Sequence, residues 1–303
     1  MEIVTPIYDS AKAKSEFKNR LKASIDYLCE FSEQEHPNDI EICWRVCAAH
    51  YLAIVSAEAG DQDAMHLYLS YLKNLPSRKN IDVLPIVDNG SIENKMIARI
   101  IEDDAQVGFG YCVDLTLAQQ EQNKILTALD VIKNLEPDAY KEIENYIDTV
   151  YLTMASAYGS RFMRSGTNFY MWGMMFLYIN SEHTIPYYIE HIVHECAHTA
   201  LNLINSYDEL VTNSAEEAFD APFRKDSRPM IGIFHAYFVL SRICYVFDKI
   251  KSTVNADMRE EINERFNNAL QKLKETHDIV EKHSRFTPQG EKIYVSIKKL
   301  WHL

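Results

Sequence analysis

The chain has 303 residues, enough for one large domain or two ordinary ones, and its 47% apolar and 25% charged residues are typical of a soluble globular protein. Its 31 basic and 44 acidic residues give a net charge of −13, which argues against nucleic acid or an anionic membrane as the main partner. The N-terminus has no secretory signal pattern, no apolar run is long enough to span a bilayer, and six cysteines without CxxC pairs favour reduced thiols, so we expect a cytoplasmic protein.

Apolar residues recur at helical spacing through most of the chain, and the sequence therefore predicts a mainly α protein. In the N-terminal half, helices are predicted over about residues 11–31, 40–59, 62–75, 92–135 and 136–157, with a strand-like run at 81–84. Gly60 and Asp61 separate two of these helices as a helix stop followed by an N-cap. We expect residues 1–150 to form a helical N-terminal layer, a candidate peptide-binding region.

The pattern changes after residue 150. Glycines at 159, 166 and 173 separate short aromatic and apolar runs, which is typical of a small sheet or β-hairpin. Pro186 is predicted to begin a helix that ends near Ile204, and further helices are predicted at about 230–250, 258–283 and 290–303. We therefore expect a catalytic region over residues 151–303, mainly helical, in which the small sheet precedes the helix that begins at Pro186.

That helix contains an HExxH motif at residues 194–198. Four residues of α-helix turn about 400°, so His194 and His198 stand about 40° apart and about 6 Å along the axis. Two imidazoles in this arrangement can bind one ion at about 2.0–2.1 Å. Glu195 projects about 100° away from His194 and can stand beside the ion without binding it. The motif therefore predicts a divalent metal site on this helix.

A third metal ligand must come from elsewhere, and two residues qualify. Glu217 follows His198 by nineteen positions, a spacing that resembles the zinc aminopeptidases of the gluzincin type. In that arrangement Asp220 would not bind the metal itself but would hold a metal-binding side chain in its orientation. His235 is a lone histidine in an otherwise apolar predicted helix. Spacing alone leaves both candidates open.

The segment between these candidates carries the most specific pattern in the chain. It reads Ala-Pro-Phe-Arg-Lys-Asp-Ser-Arg-Pro-Met-Ile-Gly-Ile-Phe-His at 221–235, after Glu-His-Ile-Val-His-Glu-Cys-Ala-His at 190–198. Together with the glycine and apolar run at 173–177, it resembles the HExxH-motif proteins found with ribosomally made, modified peptides. The resemblance covers about residues 160–250 and does not extend to the N-terminal half.

The resemblance implies an oxygenase that depends on Fe(II) and 2-oxoglutarate and hydroxylates a side-chain β-carbon in a precursor peptide. It implies that the iron is held by His194, His198 and His235. It also implies that Arg224 and Arg228 bind the cosubstrate, a role for which a guanidinium is suited because it stays charged and binds a carboxylate through two hydrogen bonds.

Two other functions fit parts of the same sequence. A zinc metallopeptidase would use Glu195 to deprotonate a metal-bound water and Glu217 as the third Zn(II) ligand. Against it, the chain shows no Gly-x-Met-x-Asn-like substrate-strand motif. A non-catalytic peptide-binding protein would use the helical layer and carry the HExxH motif by chance. In the oxygenase, Glu195 is expected at the site, either in catalysis or in shaping it.

Overall fold

A computed structural model describes residues 10–37, 40–73, 75, 80–102, 110–155, 165–222 and 226–303. Helices make up 66% of the structure, which confirms the mainly α fold. The helices are α1 (Ser10–Phe31), α2 (Trp44–Glu58), α3 (Gln62–Leu72), α4 (Ile92–Glu102), α5 (Leu115–Leu135), α6 (Pro137–Tyr146), α7 (Ile185–Asn205), α8 (Met230–Ile250), α9 (Ala256–His283) and α10 (Pro288–Trp301). The strands are β1 (Asp82–Pro85), β2 (Thr149–Thr153), β3 (Ser165–Gly166), β4 (Met174–Tyr178), β5 (Ala218–Phe219) and β6 (Arg228–Pro229).

The helical hairpin predicted around Gly60 and Asp61 is present as α2 and α3. Gly60 has a φ of +73°, which favours glycine, and the Asp61 side chain accepts a hydrogen bond from the first turn of α3 at 3.0 Å. The start of α2 was predicted too early. Cys43 is extended, and the Trp44 N–H donates to Asp148 Oδ2 at 2.9 Å, so the helix begins at Trp44 and not at residue 40.

The sheet is larger than predicted, and β2 replaces the end of a predicted helix. The helix expected to reach about residue 157 ends at Tyr146. The strand order is β1-β2-β4-β3, in which β2 is parallel to both neighbours and β3 is antiparallel to β4. All five residues of β2 are buried. A strand covered on both faces lacks the alternation of polar and apolar residues that marks a half-exposed strand, so its sequence resembles a buried helix.

Residue contacts divide the chain into two compact units that interleave along the sequence. The sheet unit comprises residues 11–123 and 144–183, and contains α1 to α4 with the four-stranded sheet. The HExxH unit includes residues 124–143 and 184–303, and contains most of α5 and α6 together with α7 to α10. This division differs from the boundary expected near residue 150. The strands β2, β3 and β4 belong with the N-terminal helices, while α6 belongs with the HExxH helix.

The core of the HExxH unit is built around α8, which has the predicted bounds. Phe234, Phe238 and Phe247 are fully buried, and each such side chain stabilises the fold by about 1.5–3 kcal/mol. Within the described ranges, α8 is the one helix long and apolar enough to cross a membrane, but 72% of its most apolar stretch is buried inside the protein. That extent of burial is consistent with the core helix of a soluble protein.

Candidate metal centre

The two motif histidines lie on the open side of α7. This helix begins where predicted, because the Thr184 hydroxyl accepts a hydrogen bond from the Tyr187 N–H at 3.1 Å and Pro186 occupies the first turn. Most of its apolar side chains are buried in the core of the unit. His194 and His198 are only partly buried, and the His194 side chain keeps 39% of its surface exposed. A metal at these imidazoles would therefore be accessible to small molecules.

The spacing of the pair fits an ion. His194 Nε2 and His198 Nε2 are 3.2 Å apart. Two nitrogens bound to one metal at about 2.0–2.1 Å are separated by about 2.9 Å in octahedral and about 3.4 Å in tetrahedral geometry. Without an ion, the same distance fits a hydrogen bond from one imidazole N–H to the other ring. The pair can therefore take an ion with little movement.

The third histidine comes from α8. The rings of His198 and His235 have centroids 5.8 Å apart and are tilted by 26°. Burial, with a smaller effect from His198, lowers the pKa of His235 to about 3, so the ring is in the neutral form that binds metals. Among the described side chains, no three His, Cys, Asp or Glu residues form a ready-made ligand set. His235 lies near the other two histidines but is not already in position with them as a ligand set.

Arg228 lies in β6, which forms a short antiparallel pair with β5. Its backbone partner in that pair is Phe219. The extended backbone predicted before α8 is present, and Pro229 is the N-cap residue of that helix. One guanidinium nitrogen of Arg228 lies 2.8 Å from Asp226 Oδ2, while Nε is buried and has no hydrogen-bond partner in the described part of the chain. Arg224, the other predicted cosubstrate residue, lies outside the described residues.

A cavity of about 650 Å³ joins these side chains. It is lined by His194, His198, His235 and Arg228, and also by Glu190. Apolar residues of α8 and part of α9 form the rest of its wall. A guanidinium and three imidazoles that face one space can bind a small anion next to a metal.

Glu217 lies apart from this group. It is in the turn before β5, where Arg285 lies 2.5 Å from its Oε1 and Asn213 donates to its Oε2 at 3.3 Å. These contacts lower the pKa of Glu217, mainly through the hydrogen bond from Arg285. Glu217 is not among the residues that line the cavity. Asp220, expected behind a ligand, instead accepts a hydrogen bond from Ser227 at 2.9 Å.

Glu195 and His191 have different surroundings. Glu195 is 3% exposed, with Oε1 3.8 Å from His194 Nε2, and it does not line the cavity. Its contact is with the same nitrogen of His194 that faces His198, so Glu195 lies on the side of the ring where an ion would bind. His191 stacks on Tyr187 with centroids 3.9 Å apart, and its Nδ1 lies 2.9 Å from the Tyr187 carbonyl oxygen. Those contacts account for His191 without a metal.

The sequence did not indicate that α9 contributes to the cavity. Asn268, Lys272 and Thr276 face it at intervals of four residues. Residues four apart lie on one face of any helix, so this spacing alone did not predict that the three side chains line a cavity. Glu190 was part of the motif but had no assigned role. Its position four residues before His194 was the signal that it shares the same stripe of α7.

The chain matches no protein-family model and no curated protein. The function must therefore be argued from the motif and from the arrangement of side chains in the HExxH unit.

Proposed function

We propose that the chain is an Fe(II)- and 2-oxoglutarate-dependent oxygenase that hydroxylates a side-chain β-carbon in a ribosomally made precursor peptide. One observation carries the proposal: a single cavity joins three imidazoles to an arginine whose buried Nε has no hydrogen-bond partner among the described residues. Imidazoles suit iron, and an arginine next to them suits a carboxylate.

In this proposal His194, His198 and His235 hold the ion. Three protein ligands leave positions open for a chelating keto-acid and for oxygen. When bound, ferrous iron supplies the oxidation, in which one atom of O₂ enters a C–H bond of the substrate, the other enters succinate, and CO₂ leaves. The protein contributes position, a fixed charge and a partly apolar cavity.

Arg228 binds the far carboxylate of the cosubstrate. Its guanidinium keeps one contact to Asp226, and its buried Nε needs an acceptor that the described part of the protein does not supply. Glu195 is a positioning residue in this scheme. Its buried carboxylate lies 3.8 Å from the His194 nitrogen that would bind the ion, so its charge would attract the ion and help to orient that ring.

The geometry gives less support to a zinc metallopeptidase. That enzyme needs Glu195 to face a metal-bound water and Glu217 to reach the ion. Glu195 lies beside the metal-facing nitrogen of His194, as that enzyme requires, but Glu217 is bound to Arg285 and Asn213 and does not line the cavity. We place the reaction in the cytoplasm, in keeping with the mostly buried α8 and with six cysteines that form no disulfide.

The test is anaerobic reconstitution of the full chain with Fe(II), followed by addition of oxygen, 2-oxoglutarate and a small peptide encoded next to the chain. We expect succinate release that requires both iron and oxoglutarate, and a mass gain of one oxygen atom on the peptide. Zinc-dependent cleavage of the peptide without oxoglutarate would instead establish the peptidase. Absence of any metal would leave a peptide-binding protein and overturn the proposal.

A further inference from the structure

Helix α8 contains a single glycine, Gly232, in its first turn, and this residue lines the cavity between Arg228 and His235. A glycine in a helix is destabilising relative to alanine, because an unfolded glycine has more backbone freedom to lose. Three features of a structure can favour a glycine at such a position: the backbone conformation, close packing, or the need for open space in front of the helix.

Neither the backbone nor the packing requires a glycine at position 232. Gly232 is helical and is not among the glycines with a positive φ, so alanine can adopt its conformation. Among the described residues, a Cβ atom on Gly232 would come no closer than 3.9 Å, to Arg228 Cβ, which is an ordinary van der Waals contact. Gly290 of α10 is different, since a Cβ there would lie 1.8 Å from the Leu210 carbonyl oxygen. Open space therefore remains as the reason for Gly232.

The open space in front of Gly232 belongs to the cavity. An α-helix turns about 100° per residue, so Gly232 lies within about 20° of both Val239 and Ile243 around the axis of α8. Arg228 and His235 lie within about 60° of it on the same scale. All four of these residues line the cavity, and Gly232 is near the middle of the face that they form. A side chain at position 232 would therefore point into the cavity.

Along the helix axis, Gly232 lies between the two groups that the proposed function assigns to the two ends of the cosubstrate. At 1.5 Å per residue, it is about 6 Å from Arg228 and about 4.5 Å from His235. Side chains on a helix lean toward its N-terminus and cover the preceding turn. A larger residue at position 232 would therefore lie over the turn of Arg228 and fill the space between the guanidinium and the histidines.

We infer that Gly232 determines which cosubstrate fits: its missing side chain leaves the space in which the carbon chain of a 2-keto dicarboxylic acid lies between the histidines and Arg228. The polar groups of such an acid are at its two ends, while its methylene groups form no hydrogen bonds and need only room. Gly232 thus acts on size and takes no part in the reaction. This inference rests on the proposed function, because that function places the two ends of the cosubstrate at the ion and at Arg228.

The test compares Gly232→Ala and Gly232→Leu with the unaltered chain, because alanine and leucine both favour helix and differ in size. Titration calorimetry on the iron-loaded full chain under nitrogen measures the binding of 2-oxoglutarate and of oxalate, a two-carbon dicarboxylate that can bind an ion without extending toward Arg228. We expect the leucine variant to bind 2-oxoglutarate about tenfold more weakly or worse, and the alanine variant about two- to fivefold more weakly, since added methyl groups overfill the space. Oxalate should bind all three within about twofold.

Thermal unfolding gives a second measurement that a merely structural glycine would affect differently. Gly232→Ala should melt at the temperature of the unaltered chain or slightly above it, because alanine favours helix and the added Cβ meets no close neighbour among the described residues. Gly290→Ala is the matched control and should melt at a lower temperature, because its Cβ would overlap the Leu210 carbonyl oxygen. A lower melting temperature for Gly232→Ala would make Gly232 a structural residue and overturn the inference. If Gly232→Leu does not fold, the alanine variant decides.

Failure of this inference is distinguishable from failure of the proposed function. If the unaltered chain binds iron but not 2-oxoglutarate, the proposed function fails and Gly232 has no cosubstrate to select. If the unaltered chain and both Gly232 variants bind 2-oxoglutarate equally well, only the role of Gly232 is wrong and the oxygenase stands. Equal losses of oxalate and 2-oxoglutarate would show that the variants disturb the ion itself, and would also overturn the inference.

Discussion

His194 Nε2 and His198 Nε2 lie 3.2 Å apart on successive turns of α7, close to the separation that one ion would impose. We predict that His194→Ala and His198→Ala each abolish stoichiometric metal binding, because the remaining ligands hold an ion weakly. Metal content after reconstitution and desalting is the measurement. His191→Ala is the control and should retain the metal, since His191 contacts Tyr187 and does not line the cavity. Unchanged metal in both motif variants would show that the site is elsewhere.

A pair of variants distinguishes the two candidates for the third metal ligand. We predict that His235→Ala loses the metal and Glu217→Ala largely keeps it, because His235 stacks near His198 while Glu217 is bound to Arg285. Circular dichroism of both variants shows whether each still folds. The opposite result, metal lost only in the Glu217 variant, would support the zinc peptidase.

Arg228 should control affinity for the cosubstrate. Replacing it with Lys or Gln removes a partly buried, charge-assisted pair, for which the loss is about 1.5–3 kcal/mol, or roughly ten- to a hundredfold in affinity. We predict that 2-oxoglutarate binding, measured by calorimetry on the iron-loaded chain under nitrogen, weakens by that factor with metal content intact.

A variant of Asp226 is a useful control, because its expected effect on oxoglutarate affinity is opposite to that of the Arg228 variants. On the proposed function, its carboxylate partly neutralises the guanidinium that binds the cosubstrate, in a pair whose side chains are 42% and 59% exposed. Such a pair is worth about 0.2–1 kcal/mol, so Asp226→Asn should tighten oxoglutarate binding by up to about fivefold. If both sets of variants leave the affinity unchanged, Arg228 does not bind the cosubstrate.

Prediction from the sequence was most accurate for helices whose bounds are set by the local pattern of residues. The bounds of α8 and the N-terminus of α7 were predicted because apolar periodicity and a Thr-Pro start are local signals. The strand β2 was missed because burial on both faces removes the alternation that identifies strands.

The same distinction holds for the site. His194 and His198 lie on one face of one helix, so their proximity could be predicted from the sequence alone. The choice between His235 and Glu217 depends on which loop returns to α7, and no local pattern encodes that. Contact between Glu190 and Arg265 joins residues 75 positions apart, and it appears only once α9 is packed against α7.

A buried ion pair between α6 and α8 contributes to the stability of the HExxH unit. Arg242 of α8 donates to Glu142 of α6, and the two side chains are 2% and 7% exposed. Removing one partner leaves a buried charge, which typically costs about 3–5 kcal/mol. We predict that Arg242→Met lowers the free energy of unfolding by that amount in urea titration. The double variant with Glu142→Leu should recover most of the loss, whereas equal stability of the single and double variants would show that the pair is not coupled.

The same pair predicts a pH dependence. Burial raises the pKa of Glu142 above its usual value, against the opposing effect of Arg242. In the Arg242→Met variant that opposition is gone, so the folded chain keeps a proton that the unfolded chain releases above about pH 4.5. Stability of the variant should therefore fall more steeply than that of the parent as pH rises from about 4.5 to 7. Parallel curves would contradict this.

The two units interleave along the sequence, so neither unit is one continuous stretch of the chain. A fragment starting at residue 151 would contain every candidate ligand, yet it would lack Glu142 and leave Arg242 buried without its carboxylate. Starting before residue 124 restores α6 but also carries residues 144–183, which pack in the other unit. No continuous fragment of the chain therefore contains the whole HExxH unit without also containing residues 144–183 of the sheet unit.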